Sequence, residues 1–99
     1  MTTPEPSPVV VINTYRVKPE RTDELFDAVR RMLEIMKDGP GFLSSKLHVS
    51  LDQTRVAYYV EWRSKLDIDA MLLRAEAVAI RDKIARIAES ADPVIYQIP

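Results

Sequence analysis

The order in which the hydrophobic period of this chain switches between two and 3.6 leaves few folds open. Val9 to Val17 (VVVINTYRV) is β-branched and aromatic and reads as a strand, which Lys18-Pro19 stops. Thr22 is a suitable N-cap, with Asp23 and Glu24 in the first turn, where the helix dipole favours acids. Leu25, Phe26, Val29, Met32, Leu33 and Met36 then recur at helical spacing until Asp38-Gly39-Pro40-Gly41 breaks the run. Phe42 to Ser50 and Val56 to Arg63 read as two strands around a short polar turn. Ser64 caps a second helical stretch with Asp67 three residues on, and a break falls near Arg74-Ala75. Ala77, Ile80, Ile84, Ile87 and Ala88 continue on one helical face, Asp92-Pro93 ends it, and Val94 to Ile98 reads as a last strand. Strand, helix, strand, strand, helix, strand is the order of the α+β, ferredoxin-like β-α-β-β-α-β arrangement. Residues 1–8, with three prolines, read as a disordered tail, and 9–99 as one domain.

The central hairpin predicts two unlike sheet faces. A turn around Gln53-Thr54 pairs residues whose numbers sum to 107 and sets Lys46 opposite Glu61. Leu43, Ser45, Leu47 and Val49 then share a face with Tyr58, Val60 and Trp62. The other face carries Ser44, Lys46, His48, Tyr59, Glu61 and Arg63. An antiparallel sheet covered by helices on one side has this pattern.

Composition closes off several chemistries. The 99 residues hold no cysteine, which removes disulfides, thiolate ligands and a thiol nucleophile and fits a cytoplasmic location. A single histidine, His48, excludes any two-histidine site within one chain. Two glycines are too few for a dinucleotide fingerprint or phosphate loop. A net charge of −1 gives no nucleic-acid footprint, and neither a signal peptide nor a membrane segment is evident. The expected partners are therefore small molecules and, in so short a chain, a second copy that enlarges the core.

The candidate residues are few. Tyr58 and Trp62 lie four apart on one strand, on the face toward the helices, either as core or as the wall of a flat apolar pocket. Asn13 sits mid-strand, where asparagine is depleted. It is either satisfied by local backbone or an amide that orients a substrate oxygen, and Tyr15 shares its face. Tyr96 reads as packing. His48, on the polar face, reads as solvent-exposed or interfacial, since no orienting partner accompanies it. Arg30, Arg31, Arg81 and Arg86 read as solvated helix charges, and Met32 and Met36 as core. No serine has the partners of a hydrolase triad.

Several stretches together resemble the antibiotic biosynthesis monooxygenase family: INTYRVKPERTDEL at 12–25, PGFLSSKLHVSLDQTRV at 40–56, EWRS at 61–64, AML at 70–72 and DPVIYQI at 92–98. The resemblance implies a dimeric α+β barrel, in which ferredoxin-like subunits pair through their sheets. It implies cofactor-independent oxygenation of polycyclic aromatic polyketides, such as anthrone to anthraquinone, with dioxygen as co-substrate. Trp62 matches the family's strand tryptophan. The family commonly has Asn four residues earlier, where this chain has Tyr58, and many members have a helix His where it has Ile80. The haem-degrading branch requires an axial histidine on a helix, and here the sole histidine is on a strand.

The expectation is a homodimeric monooxygenase of this type. Trp62 positions the ring, Tyr58 takes the oxygen-stabilising role of the missing Asn, Asn13 supplies a second polar contact, and Tyr15 lines the pocket. A non-oxidative polyketide cyclase or isomerase, and a non-catalytic binding protein using the same pocket, stand as alternatives.

Overall fold

A computed structural model describes residues 7–99, so most of the expected tail, residues 1–6, lies outside the described residues. The elements run β1 (Val9–Arg16), a 3-10 turn (Pro19–Arg21), α1 (Thr22–Lys37), β2 (Phe42–Val49), β3 (Arg55–Trp62), α2 (Lys65–Leu72), α3 (Ala75–Ile87) and β4 (Ser90–Gln97). The four strands form one antiparallel sheet in the order β2-β3-β1-β4. This is the ferredoxin-like arrangement, with its second helical region divided at Leu73-Arg74, at the expected break.

Side-chain alternation decides which face of the sheet the helices cover. Val11, Tyr15 and Val17, together with Val56, Tyr58, Val60 and Trp62, join Leu25, Val29, Met32 and Met36 of α1 in one core. Ile68 and Met71 of α2 and Ala77, Ile80, Ile84 and Ile87 of α3 complete it. The opposite face is open to solvent and mixed in character. Ile12, Val94 and Tyr96 are exposed on it, and so are Lys46 and His48.

The β2–β3 register differs from expectation by two residues. Partners sum to 105, so Lys46 lies opposite Tyr59, and the expected Lys46–Glu61 pair does not form. The turn chemistry accounts for the shift. Asp52 accepts hydrogen bonds from Ser50 Oγ (2.7 Å), Thr54 N (3.1 Å) and Thr54 Oγ1 (2.6 Å). That cage centres the turn on Asp52-Gln53, one residue early, with Gln53 in the left-handed region at φ 62°. A slip of two residues keeps every side chain on its own face, so the assignment of Tyr58 and Trp62 to the helix side is unaffected. Leu43 is the exception. A bulge between Phe42 and Ser44 pairs Phe42 with Trp62 and turns Leu43 out to solvent.

Two further expectations are corrected. Thr22 is the first residue of α1, and Arg21 holds the cap position without a side-chain hydrogen bond. The buried Thr22 hydroxyl donates instead to the carbonyls of Gln53 and Lys18, tying α1 to the hairpin turn. β4 starts at Ser90, not Val94, because Glu89 N already donates to Arg16 O (2.8 Å) as the helix ends. Pro93 is tolerated there because β4 is an edge strand and needs only one row of ladder bonds.

The capping expectation at Ser64 holds. Asp67 N donates to Ser64 Oγ (3.3 Å), and Ser64 Oγ donates to Asp67 Oδ2 (2.8 Å). Arg63 grips the same carboxylate through Nε (3.1 Å) and Nη2 (2.9 Å). Gly41 packs directly against it: its φ is +86°, and a Cβ there would collide with the Asp67 carboxylate. This junction fixes where α2 leaves the end of β3, immediately after Trp62.

Candidate functional site

A cleft of about 660 Å³ opens between the helix-covered face of the sheet and helices α2 and α3. That volume lies within the range of small-molecule sites. Sheet pairing arranges its floor. Asn13 lies opposite Tyr58 and Val11 opposite Val60 on neighbouring strands, all facing the helices, with Tyr15 and Trp62 one step beyond at either end. Val11, Val60, Ile68, Met71 and Leu72 supply apolar walls, with Met32 and Met36 reaching in from α1. The two methionines, expected as core, are therefore core on one side and cleft on the other.

Trp62, Tyr58, Asn13 and Tyr15 all line this one cleft. Trp62 is 1% exposed, and its ring is clamped by an edge-to-face contact with Phe42 (centroids 5.8 Å apart, 89°). Gly39 adds to the clamp, since a Cβ at that position would lie 3.6 Å from Trp62 Cη2. The indole is thus both core and wall, a fixed flat surface at one end. Tyr58 lies four residues away along β3, a span of about 13 Å at ~3.3 Å per residue. Such a distance suits the long axis of a fused tricyclic or tetracyclic ring system.

The other end is polar. Asn13 Oδ1 accepts from Asp92 N (3.0 Å) and Asn13 Nδ2 donates to the Tyr58 hydroxyl (3.4 Å). Asn13 is thus satisfied by backbone, as one reading anticipated, but that backbone belongs to β4, far along the chain. The Tyr15 and Tyr58 rings meet edge-to-face, 6.1 Å apart. Burial raises both phenols above the ordinary tyrosine value. Tyr15 is raised further by its Tyr58 neighbour, whereas the hydrogen bond from Asn13 draws Tyr58 partly back. Both are neutral phenols near pH 7. With the Tyr58 oxygen accepting from Asn13, its own proton is free to point into the cleft.

Charged groups occur at the rim. Arg81 and Asp82 come from α3, and Glu89 from the link just before β4. Arg81, expected as a solvated helix charge, is exposed and also lines the cleft. The signal for it was a second helical stripe, Val78, Arg81 and Ala85, beside the apolar one. Ile80 points into the core and does not line the cleft. His48 lies on the opposite sheet face, in a shallow depression with Ser44, Lys46 and Tyr59. Among the described residues no three His, Asp or Glu side chains converge as a metal set would. Among the described residues no helix is long and apolar enough to cross a membrane.

Comparison with known proteins gives a consistent result. The family model described as antibiotic biosynthesis monooxygenase matches residues 8–83. Tetracenomycin-F1 monooxygenase of Streptomyces glaucescens is 38% identical over 69 residues, covering 69% of this chain and 62% of that protein. The matched stretch is therefore less than two thirds of that relative's length. A candidate antibiotic biosynthesis monooxygenase from Nitrosomonas europaea superposes with a TM-score of 0.84 at 25% identity, covering 99% of this chain and 95% of the other. SnoaB, a cofactor-independent oxygenase from Streptomyces nogalater, shares the fold with a TM-score of 0.80 at 14% identity, over 94% of each chain.

Proposed function

The chain belongs to the antibiotic biosynthesis monooxygenase family, and on that premise we propose that it oxygenates a flat, polycyclic aromatic, polyketide-like substrate with dioxygen and without a cofactor. The observation that carries this reading is one cleft that has an indole wall at one end and the Asn13–Tyr58–Tyr15 group at the other. Tyr15 serves as a pocket residue beneath Tyr58.

The chemistry suits those groups. An anthrone-like substrate loses a proton from its ring methylene and becomes a delocalised enolate. Tyr58, its oxygen already supported by Asn13, donates its proton in a hydrogen bond to the enolate oxygen. Trp62 holds the ring flat. The enolate passes one electron to dioxygen, and the resulting radical pair combines at the former methylene carbon as a peroxide anion, which takes up a proton from solvent to become the hydroperoxide. Loss of the remaining C–H proton breaks the O–O bond, leaving a carbonyl and releasing hydroxide. One oxygen atom enters the quinone, and the other leaves as water once hydroxide takes up a proton. Neither phenol is a base at neutral pH, so the first proton passes to solvent at the open rim and its loss relies on substrate acidity.

The subunit acts as a homodimer in this reading. The open sheet face exposes Ile12, Val94 and Tyr96, an apolar patch that a second copy covers. A second reading, binding without turnover, is favoured by one observation: no histidine lines the cleft among the described residues. Oxygen uptake with a model anthrone decides between them. Stoichiometric uptake with quinone formation, lost under nitrogen, supports the oxygenase. Product formed equally without oxygen selects a cyclase or isomerase. Thermal stabilisation by the anthrone with no uptake selects the binding protein.

A further inference from the structure

Three of the chain's four methionines, Met32, Met36 and Met71, line the cleft. Met32 and Met36 stand one helical turn apart on α1 and share a face, and Met71 comes from α2. They are 2%, 4% and 3% exposed, so bulk solvent hardly touches them. The chain has no cysteine, and these thioethers are the only sulfur among the described residues that line the cleft. Leucine would fill the same volume. A thioether differs from it in being polarisable, flexible and readily oxidised.

We propose that Met32, Met36 and Met71 form a self-oxidation site, at which a thioether sulfur takes the outer oxygen of a substrate hydroperoxide held in the cleft and becomes a sulfoxide. This rests on the oxygenase reading above and adds a second fate for its peroxide. The layering of the site directs the peroxide to these residues. A flat ring in the cleft has the sheet on one side and the helices on the other. The carbon that takes up oxygen turns tetrahedral, so its peroxide stands out of the ring plane. On the sheet side are Val11 and Val60, opposite each other on β1 and β3, and their β-branched side chains are stiff. On the helix side are the three methionines with Ile68, and an unbranched thioether has the torsional freedom to bring its sulfur to the peroxide.

The step balances. A sulfur lone pair attacks the outer peroxide oxygen, the S–O bond forms as the O–O bond breaks, and the electron pair of the broken bond stays on the inner oxygen. That oxygen takes the proton the outer one carried, leaving a ring alcohol. Sulfur is oxidised by two electrons and the peroxide is reduced by two. Quinone formation breaks the same O–O bond by loss of the C–H proton, so the two routes compete for one intermediate. Each sulfoxide sets a polar group in an apolar wall, and methionine sulfoxide reductases reverse it.

Heavy-isotope dioxygen makes the event measurable. The full chain turns over a model anthrone under the labelled gas with catalase present, and the tryptic peptides 32–37 (MLEIMK) and 66–74 (LDIDAMLLR) are weighed. The expected gain is about 18 Da per sulfoxide, distinct from the ~16 Da left by handling in air. The labelled fraction should rise in step with quinone and exceed by at least about tenfold that of a control lacking anthrone, because burial shields these sulfurs from oxidants in bulk solvent. Treatment with the two sulfoxide reductases, one for each epimer, should return both peptides to their starting mass. Label that appears without catalase and vanishes with it identifies free hydrogen peroxide as the oxidant and overturns the proposal. Oxygen uptake and quinone formation with no label in either peptide overturn it as well, and leave the oxygenase reading standing. No oxygen uptake with the anthrone overturns both.

Discussion

Removing the Tyr58 hydroxyl separates a structural role from a chemical one. In Tyr58→Phe the ring remains, and with it the edge-to-face contact to Tyr15. The lost hydrogen bond from Asn13 Nδ2 is long at 3.4 Å, so its contribution lies near the lower end of the usual range, about 0.5–1 kcal/mol. Asn13 Nδ2 lines the cleft, where water can replace the phenol, which limits any further penalty. Thermal unfolding should therefore shift down by about 4–8 °C at most for a domain of this length. The effect on turnover should be larger. Deleting one preorganised oxyanion donor typically lowers kcat about 100–1,000-fold, and the open rim places this site near the smaller figure. Oxygen uptake at saturating anthrone measures kcat, and circular dichroism melts measure stability on the same samples. Asn13→Ala acts on the oxygen through Tyr58, so in the double variant its effect on kcat should largely vanish, while its loss of the Asp92 N contact still lowers the melting temperature. Tyr58→Phe with kcat within about threefold of the parent protein, less than ~1 kcal/mol of barrier, refutes the oxyanion role.

The remaining predictions concern the frame around the site. Gly41→Ala forces a β-carbon into the Asp67 carboxylate at a left-handed φ, and should cost about 1–3 kcal/mol in urea unfolding; a loss below the error of the fit would contradict the close packing. Asp52 is pulled down to about 2 by hydrogen bonds from Thr54 and Ser50. Its folded value is below its unfolded one, so its stabilisation is complete above about pH 4 and fades as pH falls toward 2. The stability gap between the parent and Asp52→Asn should close over that window, and a gap unchanged at pH 2 would dismiss the turn cage. Ile12→Glu puts a charge in the middle of the open sheet face. Sedimentation should show a dimer for the parent and a monomer for the variant, and a dimer in both would place the contact elsewhere.

Much of the site was legible in the chain because strand geometry is strict. Two residues four apart on a strand share a face whatever they pair with, so Tyr58 and Trp62 had to look the same way. Asn13 and Tyr15 followed by the same rule on β1. The rule tolerated an error in register, since the hairpin slipped by two and returned each side chain to its face. It failed at Leu43, where a bulge breaks the alternation, and bulges leave little trace in composition. The turn centre was missed because Asp52 has competing hydroxyl partners on both sides, and only their combined geometry selects Asp52-Gln53.

By itself, the order of hydrophobic periods determined the β-α-β-β-α-β chain path and the residues that face the helices, because both depend on local spacing. The tertiary structure alone decided that those residues border a cleft instead of a filled core, because an opening depends on how far α2 and α3 stand from the sheet. It also decided that Arg81, exposed on its own helix, belongs to the rim, and that Asn13 is held by β4. A charge on a helix carries no record of what it will face until separate elements have docked.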